Sequence, residues 1–595
     1  MKKHYETHVE DTDKLISVAG PVLDYKSWYE QYRKLMEEQA QRKYGLYTPT
    51  SEGDDDDFPS IPGMIARYSA LGLTNEQMTE NPVWKDLTGN GHDLQMKNFA
   101  WGGMSGVGGY EMNFNLWTNN VPSIPDISMS TTTTSVSVSV RNSTYNNNLI
   151  YIHMNNWDIN KNHWLKVTST YEDGDLVFKF YNDNNSKNIE LPANGYVNIP
   201  AYPEFKGNYM YISTTSNKQG SFTIEQFPLY PGFILGDGVD DVAVTEKELN
   251  FEDTYTVYTA FIPFRNNVTR NMILCGADSK KTFSMQYSSL VYVSFIAGNN
   301  YYINADFVNG FNLFACKRNG NNICIKNLLT NKVVTGTCGD WVENAGLYYL
   351  WRNATYLSLA RAAIAGQTIC NGYFSTDEDD EKVLDWYKKQ YPWLFPDQAW
   401  TVTGKTNEDE DRATIANITG NGNDLVLSNF GFAEGSGYNE EGEYAGYLVT
   451  DGVDDRVQDS SFKLNKDWTL VGEWVFLNQK ATNAGITKPF SFVVYNRTTG
   501  LSLFINSGTS GTTIENVKSI KAICSDGRIY LDDWSEMLIN KDQNITSSTS
   551  VLSIGFNGTA CTQIAFKNLG IHNDVTLSKE DCIKAYNYLQ TLKAK

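Results

Sequence analysis

Apolar and polar residues alternate along much of the chain, which is the pattern of β-strands with one buried face. "SVSVSV" alternates strictly, and "DLVFKFYND" places Leu176, Phe178 and Phe180 on one face. "GSFTIEQF" does the same with Phe222 and Ile224. Longer runs rich in Thr, Val and aromatic residues, such as "DTYTVYTAFIPF" and "DWTLVGEWVFL", are also typical of strands. The pattern predicts a mainly β protein.

Three segments show helical spacing instead. "KSWYEQYRKLMEEQAQRKY" has a Ser27-x-x-Glu30 capping box and an apolar stripe. "STDEDDEKVLDWYKKQYPWL" starts with a capping box at Ser375 and is predicted to end near Pro392. "LSKEDCIKAYNYLQTLKAK" is predicted to start at Ser578, with acids in its first turn.

The first of these helices lies outside the rest of the pattern. It precedes an acidic stretch, "SEGDDDDFPS", which is predicted to be a linker. One helix with an exposed apolar stripe does not fold alone, so we expect it to dock on a partner or to self-associate as a dimeric or trimeric bundle. Packing back on the following domain is the open alternative.

A long repeat is the most informative feature of the sequence. "WKDLTGNGHDLQMKNFAW" returns as "IANITGNGNDLVLSNFGF", and each copy then reaches "DGVDD", a β-prone run opened by Asp253 or Asp467, and a closing helix. Four landmarks in one order indicate a duplication. The signature residues are Trp84, Gly89, Gly91, Asp93, Asp237 and Gly238 in the first copy, and Gly420, Gly422, Asp424, Asp451 and Gly452 in the second.

One spacing differs between the copies. Gly89 and Asp237 are 148 residues apart, whereas Gly420 and Asp451 are 31 apart, so the first copy holds an insertion of about 117 residues. The insertion has strand patterns throughout and is predicted to be a smaller β-sandwich. The predicted domains are a helical anchor and linker at 1–58, a first sandwich at 59–117 with 232–397, the insertion at 118–231, and a second sandwich at 398–595.

These landmarks resemble the concanavalin A-like, laminin-G-like jelly-roll sandwich. More narrowly, "IPGMIARYSALGLTNEQMTENPVWKDLTGNGHDL" and "FTIEQFPLYPGFILGDGVDD" are similar to virion proteins of Bacteroides-infecting phages, the crAss-like group among them. The resemblance covers roughly residues 59–595. It implies a structural or adhesive role: a head or tail fibre, or a capsid decoration, located on the virion after assembly in the host cytoplasm.

The two "DGVDD" segments have two interpretations. Asp-Gly supplies a tight turn with positive φ at the glycine, the valine then points into the core, and the remaining Asp side chains bond the loop backbone. Alternatively, Asp240 and Asp241, and likewise Asp454 and Asp455, help to hold Ca²⁺, which needs six to eight oxygen ligands. Some laminin-G-like domains bind calcium, as the resemblance implies. No EF-hand spacing accompanies these residues, so the turn is favoured and no other cofactor is predicted.

Catalytic patterns are weak. The Glu-x-Asp-x-x-Glu strand of jelly-roll glycanases is absent, and the strand "DWTLVGEWVFL" contributes only Glu473, whose first-copy equivalent is uncharged. "VTGKTNED" lacks the glycine that a phosphate loop requires five places earlier, where Ala399 stands. The run "NEDEDR" is interpreted as a solvated linker. We predict a protein that is not an enzyme, with a glycan depolymerase as the alternative.

Charge and composition reduce the number of partner classes that we expect. The 595 residues carry a formal net charge of −20, which argues against nucleic acid and against an anionic membrane surface. Eight scattered cysteines form no disulfide or zinc pattern. The expected partners are other virion proteins through the N-terminal helix, further copies of the chain, and host or mucosal glycans. A cytoplasmic carbohydrate-binding or interaction protein is the remaining alternative.

Glycan sites on sandwiches pair aromatic rings with a few polar groups. Tyr301, Tyr302 and Trp351 are examples of the many aromatic residues, and each is interpreted as packing rather than as a ligand contact. No glycan-binding residue follows from the sequence.

Overall fold

The computed structural model describes most of residues 57–594, which belong to one compact unit. The predicted N-terminal helix lies outside the described residues, as does the linker up to residue 56. Also outside them are residues 111–113, 115–117, 120–126, 141–148, 151, 154–162, 182–185, 200–204, 206–208, 215–218, 265–270, 277–282, 289–291, 298–300, 307–309, 341–344, 352–359, 479–484, 490, 506–510, 540–546 and 558.

The described part of the first repeat starts with short strands, and the predicted insertion follows. The first elements are β1 Met64–Ser69, α1 Asn75–Glu80, β2 Val83–Trp84, β3 Leu94–Lys97 and β4 Gly106–Val107. The insertion contains β5 Thr118–Asn119, β6 Ile127–Thr131, β7 Ser135–Val140, β8 Leu149–Ile150, β9 Ile152–His153, β10 His163–Ser169, β11 Leu176–Tyr181, β12 Ser186–Leu191, β13 Asn194–Ile199, β14 Tyr209–Thr214 and β15 Gly220–Gln226.

The chain then returns to the first repeat and ends it with a helix. These elements are β16 Ile234–Asp237, β17 Val242–Thr245, β18 Leu249–Asn250, β19 Thr254–Pro263, β20 Asn271–Gly276, β21 Phe283–Ser288, β22 Tyr292–Ala297, β23 Tyr301–Asp306, β24 Asn312–Asn319, β25 Asn322–Asn327, β26 Lys332–Thr337, β27 Ala345–Gly346, β28 Tyr348–Leu350, β29 Arg361–Asn371 and α2 Asp377–Gln390, followed by a 3₁₀ turn at Pro392–Leu394.

The second repeat occupies the remainder of the chain. Its elements are β30 Gln398–Thr401, β31 Thr414–Ile415, β32 Leu425–Ser428, β33 Gly437–Asn439, β34 Tyr447–Val449, β35 Arg456–Gln458, β36 Phe462–Asn465, β37 Trp468–Phe476, β38 Gly485–Lys488, β39 Phe492–Arg497, β40 Gly500–Ile505, β41 Thr512–Glu515, β42 Ala522–Cys524, β43 Arg528–Tyr530, β44 Glu536–Leu538, β45 Ser547–Ser550, β46 Ser553–Ile554, β47 Ile564–Asn573 and α3 Lys579–Thr591.

Each repeat folds into two antiparallel sheets with the same strand order. Front sheet 1 runs β2-β3-β17-β28-β20-β21-β22-β23, and front sheet 2 runs β31-β32-β35-β46-β38-β39-β40-β41. Back sheet 1 runs β26-β25-β24-β19-β29-β16-β4 with β1 beside β29, and back sheet 2 runs β44-β43-β42-β37-β47-β34-β33 with β30 beside β47. The prediction of a mainly β protein is confirmed. The matching strand order shows that the repeat in the sequence is also a repeat in the fold.

The equivalence extends to irregularities within the strands. A bulge lies between Ala260 and Phe261 in β19, and another lies between Glu473 and Trp474 in β37. When the two repeats are aligned on these bulges, Glu473 of the second repeat corresponds to Ala260 of the first. It also shifts one sequence landmark by a residue, because Asp467 corresponds to Thr254 rather than to Asp253.

The insertion has its own pair of sheets. One sheet runs β13-β10-β15-β7-β6 and the other runs β12-β11-β14-β8. The predicted inward residues Phe178, Phe180, Phe222 and Ile224 are buried in one cluster between them. The alternation read from the sequence therefore identifies the core of this segment. The division into separate domains stays a prediction.

The repeat begins earlier than the sequence motifs suggest. Asn75 bonds the backbone N–H and carbonyl of Val107, and Asn407 does the same to Tyr438. These asparagines belong to "GLTNEQ" and "GKTNED", which share their glycine, threonine, asparagine and glutamate. The prediction that "NEDEDR" is a linker is therefore wrong, because its first residue fixes the neighbouring strand β33.

The two closing helices cover the back sheets and join the repeats. Helix α2 is capped by Thr376, one residue after the predicted Ser375, and α3 is capped by Ser578 as predicted. Residues of both helices and both back sheets form one continuous apolar cluster. Within it, the Phe311 N–H donates to the Tyr588 hydroxyl at 2.9 Å. The shared cluster packs the repeats against each other. Among the described helices, none is long and apolar enough to span a bilayer.

Candidate functional site

The "TGNG" segments form matching turns. Gly89, Gly91, Gly420 and Gly422 have φ between +74° and +81°, a region that favours glycine. In the first turn the Asp86 N–H donates to the Asp93 carboxylate at 2.9 Å. These residues shape a loop between strands.

The second turn repeats this bond with Asn417 and Asp424, at 2.7 Å. His92 and its counterpart Asn423 contribute their carbonyl oxygens, which accept from the Tyr68 hydroxyl and from the Trp400 indole N–H, respectively. The side chain at this position is therefore not what closes the turn. Trp84 is buried in the core beneath the first copy.

The first "DGVDD" turn is closed by Asp241. Its Oδ2 accepts from the Asp237 N–H at 2.8 Å, and its Oδ1 accepts from the Ser105 hydroxyl at 3.0 Å. Asp237 in turn accepts from the Val239 N–H at 2.7 Å. Gly238 has φ of +78°, as a tight turn at this place requires.

The second turn is built in the same way. Asp455 accepts from the Asp451 N–H at 2.7 Å and from the Ser436 hydroxyl at 3.0 Å. Asp451 accepts from the Val453 N–H at 2.7 Å, and Gly452 has φ of +73°. The carboxylates thus bond the loop backbone, as the turn interpretation expects.

One part of that interpretation is wrong. The valines were expected to point into the core, but Val239 is 69% exposed and Val453 is 76% exposed. The inward position is taken by Asp241 and Asp455, which are 1% and 0% exposed. Because these carboxylates tie the turn to the preceding strand, the valines are left at the tip.

The acids of each turn lie close together. One oxygen from each of Asp237, Asp240 and Asp241 lies within 4.8 Å of the others, and the same holds for Asp451, Asp454 and Asp455. Burial raises the pKa of Asp241 to about 7 and that of Asp455 to about 6. Carboxylate oxygens suit calcium, but here the buried ones already accept two hydrogen bonds each. A calcium site stays a prediction, tested in the Discussion.

Glu473 is enclosed rather than presented to a ligand. It is 8% exposed, and its Oε1 accepts from the Tyr447 hydroxyl at 2.5 Å. Burial alone would raise the pKa of Glu473, but the charges of Lys521 and Lys567 hold it below its ordinary value. The charged carboxylate is therefore engaged by neighbouring side chains within the fold rather than open to a ligand.

The outer face of front sheet 2 presents a different surface. Cross-strand pairing places Val493 opposite Phe504, and Tyr495 opposite Ser502. The alternate residues of the same strands, such as Val494 and Leu503, lie in the core. Tyr495 and Phe504 are therefore half-exposed neighbours on the outer face, with ring centroids 5.7 Å apart at 66°.

Two arginines flank these aromatic rings. Arg497 lies with its guanidinium 5.1 Å from the Tyr495 ring centroid and donates from Nε to the Ser502 hydroxyl at 3.1 Å. Arg456 is exposed and lies 4.4 Å from the Phe556 ring centroid. Aromatic contact of this kind holds a planar guanidinium in a fixed orientation. The face thus combines apolar rings with oriented cationic donors.

Small residues separate Arg456 from Tyr495. Arg456 lies in β35, Tyr495 lies in β39, and Gly555 and Gly485 stand in the same row between them, joined by the Gly555 N–H to the Gly485 carbonyl at 2.8 Å. Three strand spacings correspond to about 14 Å. The row therefore runs from an exposed cation to a half-exposed aromatic ring over a glycine floor.

The first repeat does not reproduce this surface. By the matching registers, Gln286 stands at the position of Tyr495 and Val242 at that of Arg456. Val242 is 5% exposed, and Ser284, the counterpart of Val493, is 0% exposed. The first repeat therefore lacks the aromatic ring and the cation at these positions, although Gln286 is half-exposed, as Tyr495 is. The duplication has kept the strands and changed this face.

Sequence reasoning missed Tyr495 and Phe504. Both strands, "FVVYNR" and "GLSLFI", have apolar residues on each face, so alternation alone does not say which face is buried. Trp351 is 0% exposed and donates its indole N–H to the Ala362 carbonyl, so its interpretation as core packing is confirmed. The side chains of Tyr301 and Tyr302 lie outside the described residues.

A cleft between the repeats is a weaker candidate. It has a volume of about 240 Å³ and is lined mostly by apolar residues of the shared cluster, among them Phe311, Leu394, Ile418 and Leu592. Ligand pockets are typically ~300–1,000 Å³ and hold converging polar groups. The Asp397 carboxylate at its rim already accepts from the Asn573 N–H at 2.6 Å. The cleft is best explained by imperfect packing at the junction.

Comparisons with known proteins do not assign a function to this chain, so the functional assignment rests on the residues described above. No protein-family model matches the chain, and no curated protein is similar in sequence. A botulinum neurotoxin serotype D binding domain shares 9% identity at a TM-score of 0.26, covering 59% of this chain and 90% of that one.

Two further solved structures are similarly distant. A structure of botulinum neurotoxin type C, described as entering cells through two ganglioside molecules, shares 11% identity at a TM-score of 0.24 over 57% of this chain and 87% of that one. The Emp47p carbohydrate recognition domain shares 8% identity at a TM-score of 0.18 over 24% and 84%. At these TM-scores the likeness supports no argument about the site or its ligand.

Proposed function

We propose that this protein binds glycans, and that its sugar site is the outer face of front sheet 2. The observation that carries the proposal is the half-exposed pair Tyr495 and Phe504, flanked by the oriented donors of Arg497 and Arg456. An aromatic ring buries the apolar face of a sugar ring while guanidinium and hydroxyl groups bond its oxygens. No enclosed, unpartnered catalytic pair accompanies this surface among the described residues.

The finer proposal concerns where the protein acts. We infer a fibre or decoration of a phage particle, with two laminin-G-like sandwiches, a smaller inserted sandwich and an N-terminal helical anchor. Support comes from the sequence resemblance and from the shared apolar cluster that packs the two repeats against each other. Many copies on one particle would raise weak glycan affinity through effective concentration.

Glycan-array binding by the full-length chain tests the sugar site. Tyr495→Ala with Phe504→Ala should abolish binding, because both rings of the platform are lost. Gln286→Ala is the matched control, since it truncates the equivalent half-buried position in the first repeat. Retained binding by the double variant, or equal loss with the control, would contradict the proposed face.

Immunogold labelling of purified particles tests the location. Antibodies to the second repeat should label the capsid for a head fibre or decoration, and the tail for a tail fibre. Particles without label would overturn the virion proposal while leaving the glycan proposal intact, because array binding is measured separately.

A further inference from the structure

We propose that the ligand of this face is an acidic oligosaccharide, bound through its carboxylate by Arg456; the inference rests on the proposed glycan site. The sheet itself provides the first argument. The described strands of front sheet 2 contain one acidic residue, Glu515, and two arginines that point outward, Arg456 and Arg497. In a chain with a net charge of −20, this is a local reversal of sign.

Arg456 has the features of a recognition group. It is exposed, and its guanidinium lies 4.4 Å from the Phe556 ring centroid, which orients its plane. No described carboxylate lies within ion-pair distance of it, although Asp454 and Asp455 precede it directly in the chain. A planar guanidinium binds a carboxylate through two parallel N–H donors, which a neutral sugar hydroxyl cannot match.

The repeat supplies a comparison within the chain. The position of Arg456 is occupied in the first repeat by Val242, which is 5% exposed. A residue needed only for the sandwich would be expected to stay apolar at both positions. The difference between Val242 and Arg456 accompanies the difference between Gln286 and Tyr495 on the same row, so the cation and the ring occur together on one surface.

The spacing bears on the length of the ligand. Three strand spacings, about 14 Å, separate the backbone of Arg456 from that of Tyr495. An oligosaccharide can span this distance, so one molecule can contact both groups. One sugar stacks on Tyr495 and Phe504, and an acidic sugar further along the chain meets Arg456 across the glycine floor.

Calorimetric titration of the full-length chain tests the inference with paired probes. Oligogalacturonate is compared with the same oligomer after carboxyl reduction, and sialyllactose is compared with lactose. We expect at least one acidic probe to bind ten-fold or more tightly than its neutral partner. Arg456→Gln should remove this preference, because it should weaken binding of the acidic probe at least ten-fold more than binding of its neutral partner.

Lys463→Gln is the control for loss of one positive charge, because Lys463 is an exposed cation of β36, which pairs with β45 and lies outside front sheet 2. It should bind like wild type. Equal affinity for acidic and neutral partners, a preference that survives Arg456→Gln, or tighter binding of lactose sulfate than of sialyllactose would overturn the carboxylate inference. Binding of neutral glycans that depends on Tyr495 would then still support the proposed function, whereas absence of all glycan binding would overturn both.

Discussion

In each repeat a closing helix packs against a back sheet, but the side chains that make this contact differ between the two repeats. In the first repeat, Lys317 of β24 meets Asp380 of α2 at 2.7 Å, with side chains 4% and 2% exposed. The equivalent positions in the second repeat are Cys524 and Cys582, which are both buried. Position in the fold therefore determines that a contact exists, and the side chains determine its energy.

The front sheets of the two repeats also differ, in the residues on their outer faces. At two equivalent positions the first repeat has the buried Val242 and the half-exposed Gln286, whereas the second repeat has the exposed Arg456 and the half-exposed Tyr495. The first repeat thus places the ion pair of Lys317 and Asp380 beneath its helix, and the second repeat places Arg456 where a ligand can reach it. Duplication allows this, because one copy can keep stability while the other changes its surface.

The largest expected effect concerns the helix contacts. Asp380→Ala removes the carboxylate that binds Lys317 and Lys326, leaving Lys317 buried without a counter-charge, and should cost about 3–5 kcal/mol in the free energy of unfolding. Cys582→Ala, its counterpart, removes one buried atom and should cost about 1 kcal/mol. Urea unfolding combined with hydrogen exchange of α2 and α3 measures both.

A double substitution tests whether the unpaired buried charge causes the larger loss of stability in Asp380→Ala. Lys317→Met combined with Asp380→Leu removes both charges and should recover most of the stability lost in Asp380→Ala, because no unpaired charge is then buried. Equal losses in Asp380→Ala and Cys582→Ala would show that the two contacts are energetically alike, contrary to the comparison.

The next largest effect on stability is expected at the acidic turns, and it should be similar in the two repeats. Asp455→Ala leaves the partly buried Asp451 N–H without its acceptor and should cost about 1 kcal/mol, as should Asp241→Ala for the Asp237 N–H. The asparagine variants keep an acceptor for that N–H and should be close to wild type. Melting temperatures of the four variants test this, and equal loss in alanine and asparagine variants would show that the charge itself is needed.

These turns also predict a pH dependence. Burial raises the pKa of Asp241 from 3.8 to about 7, so between these values the folded state binds its proton more tightly than the unfolded state does. The stability from this group is therefore full below about pH 4 and is lost as the pH rises to about 7. Asp241→Asn should flatten the decline in melting temperature over this range. An unchanged decline would assign it to other groups.

An effect of similar size is expected at the junction of the repeats. Tyr588→Phe removes the hydroxyl that accepts from the buried Phe311 N–H and should cost about 1 kcal/mol. Hydrogen exchange at Phe311 should accelerate, while exchange in β38 to β41 stays as in wild type. Acceleration throughout the second repeat would mean that this bond couples the repeats more strongly than the shared apolar cluster does.

The smallest expected effect is that of calcium. Because each buried carboxylate is already bonded within its turn, we expect no shift in melting temperature when millimolar calcium is added. A site filled at ten-fold excess over its Kd would add about 1.4 kcal/mol. A shift of that size that Asp240→Asn with Asp454→Asn removes would establish the calcium interpretation instead.

Much of the fold follows from local spacing in the sequence. Alternation identified the inward residues of the insertion, such as Phe178 and Ile224, because strand geometry fixes a period of two. The order of the "TGNG" and "DGVDD" turns identified the repeat, since glycines with positive φ cannot be exchanged freely. Ser578 was located as a helix cap for a similarly local reason.

The sequence by itself therefore determined the class of fold, the duplication and its acidic turns, because each depends on neighbours within a few residues. The tertiary structure alone decided that Val239 and Val453 are exposed, that Lys317 meets Asp380, and that Tyr495 faces solvent. In "FVVYNR" either face could be buried, and only pairing with β38 and β40 fixes which one packs on the core. Contacts between distant segments decide these points, and no short spacing encodes them.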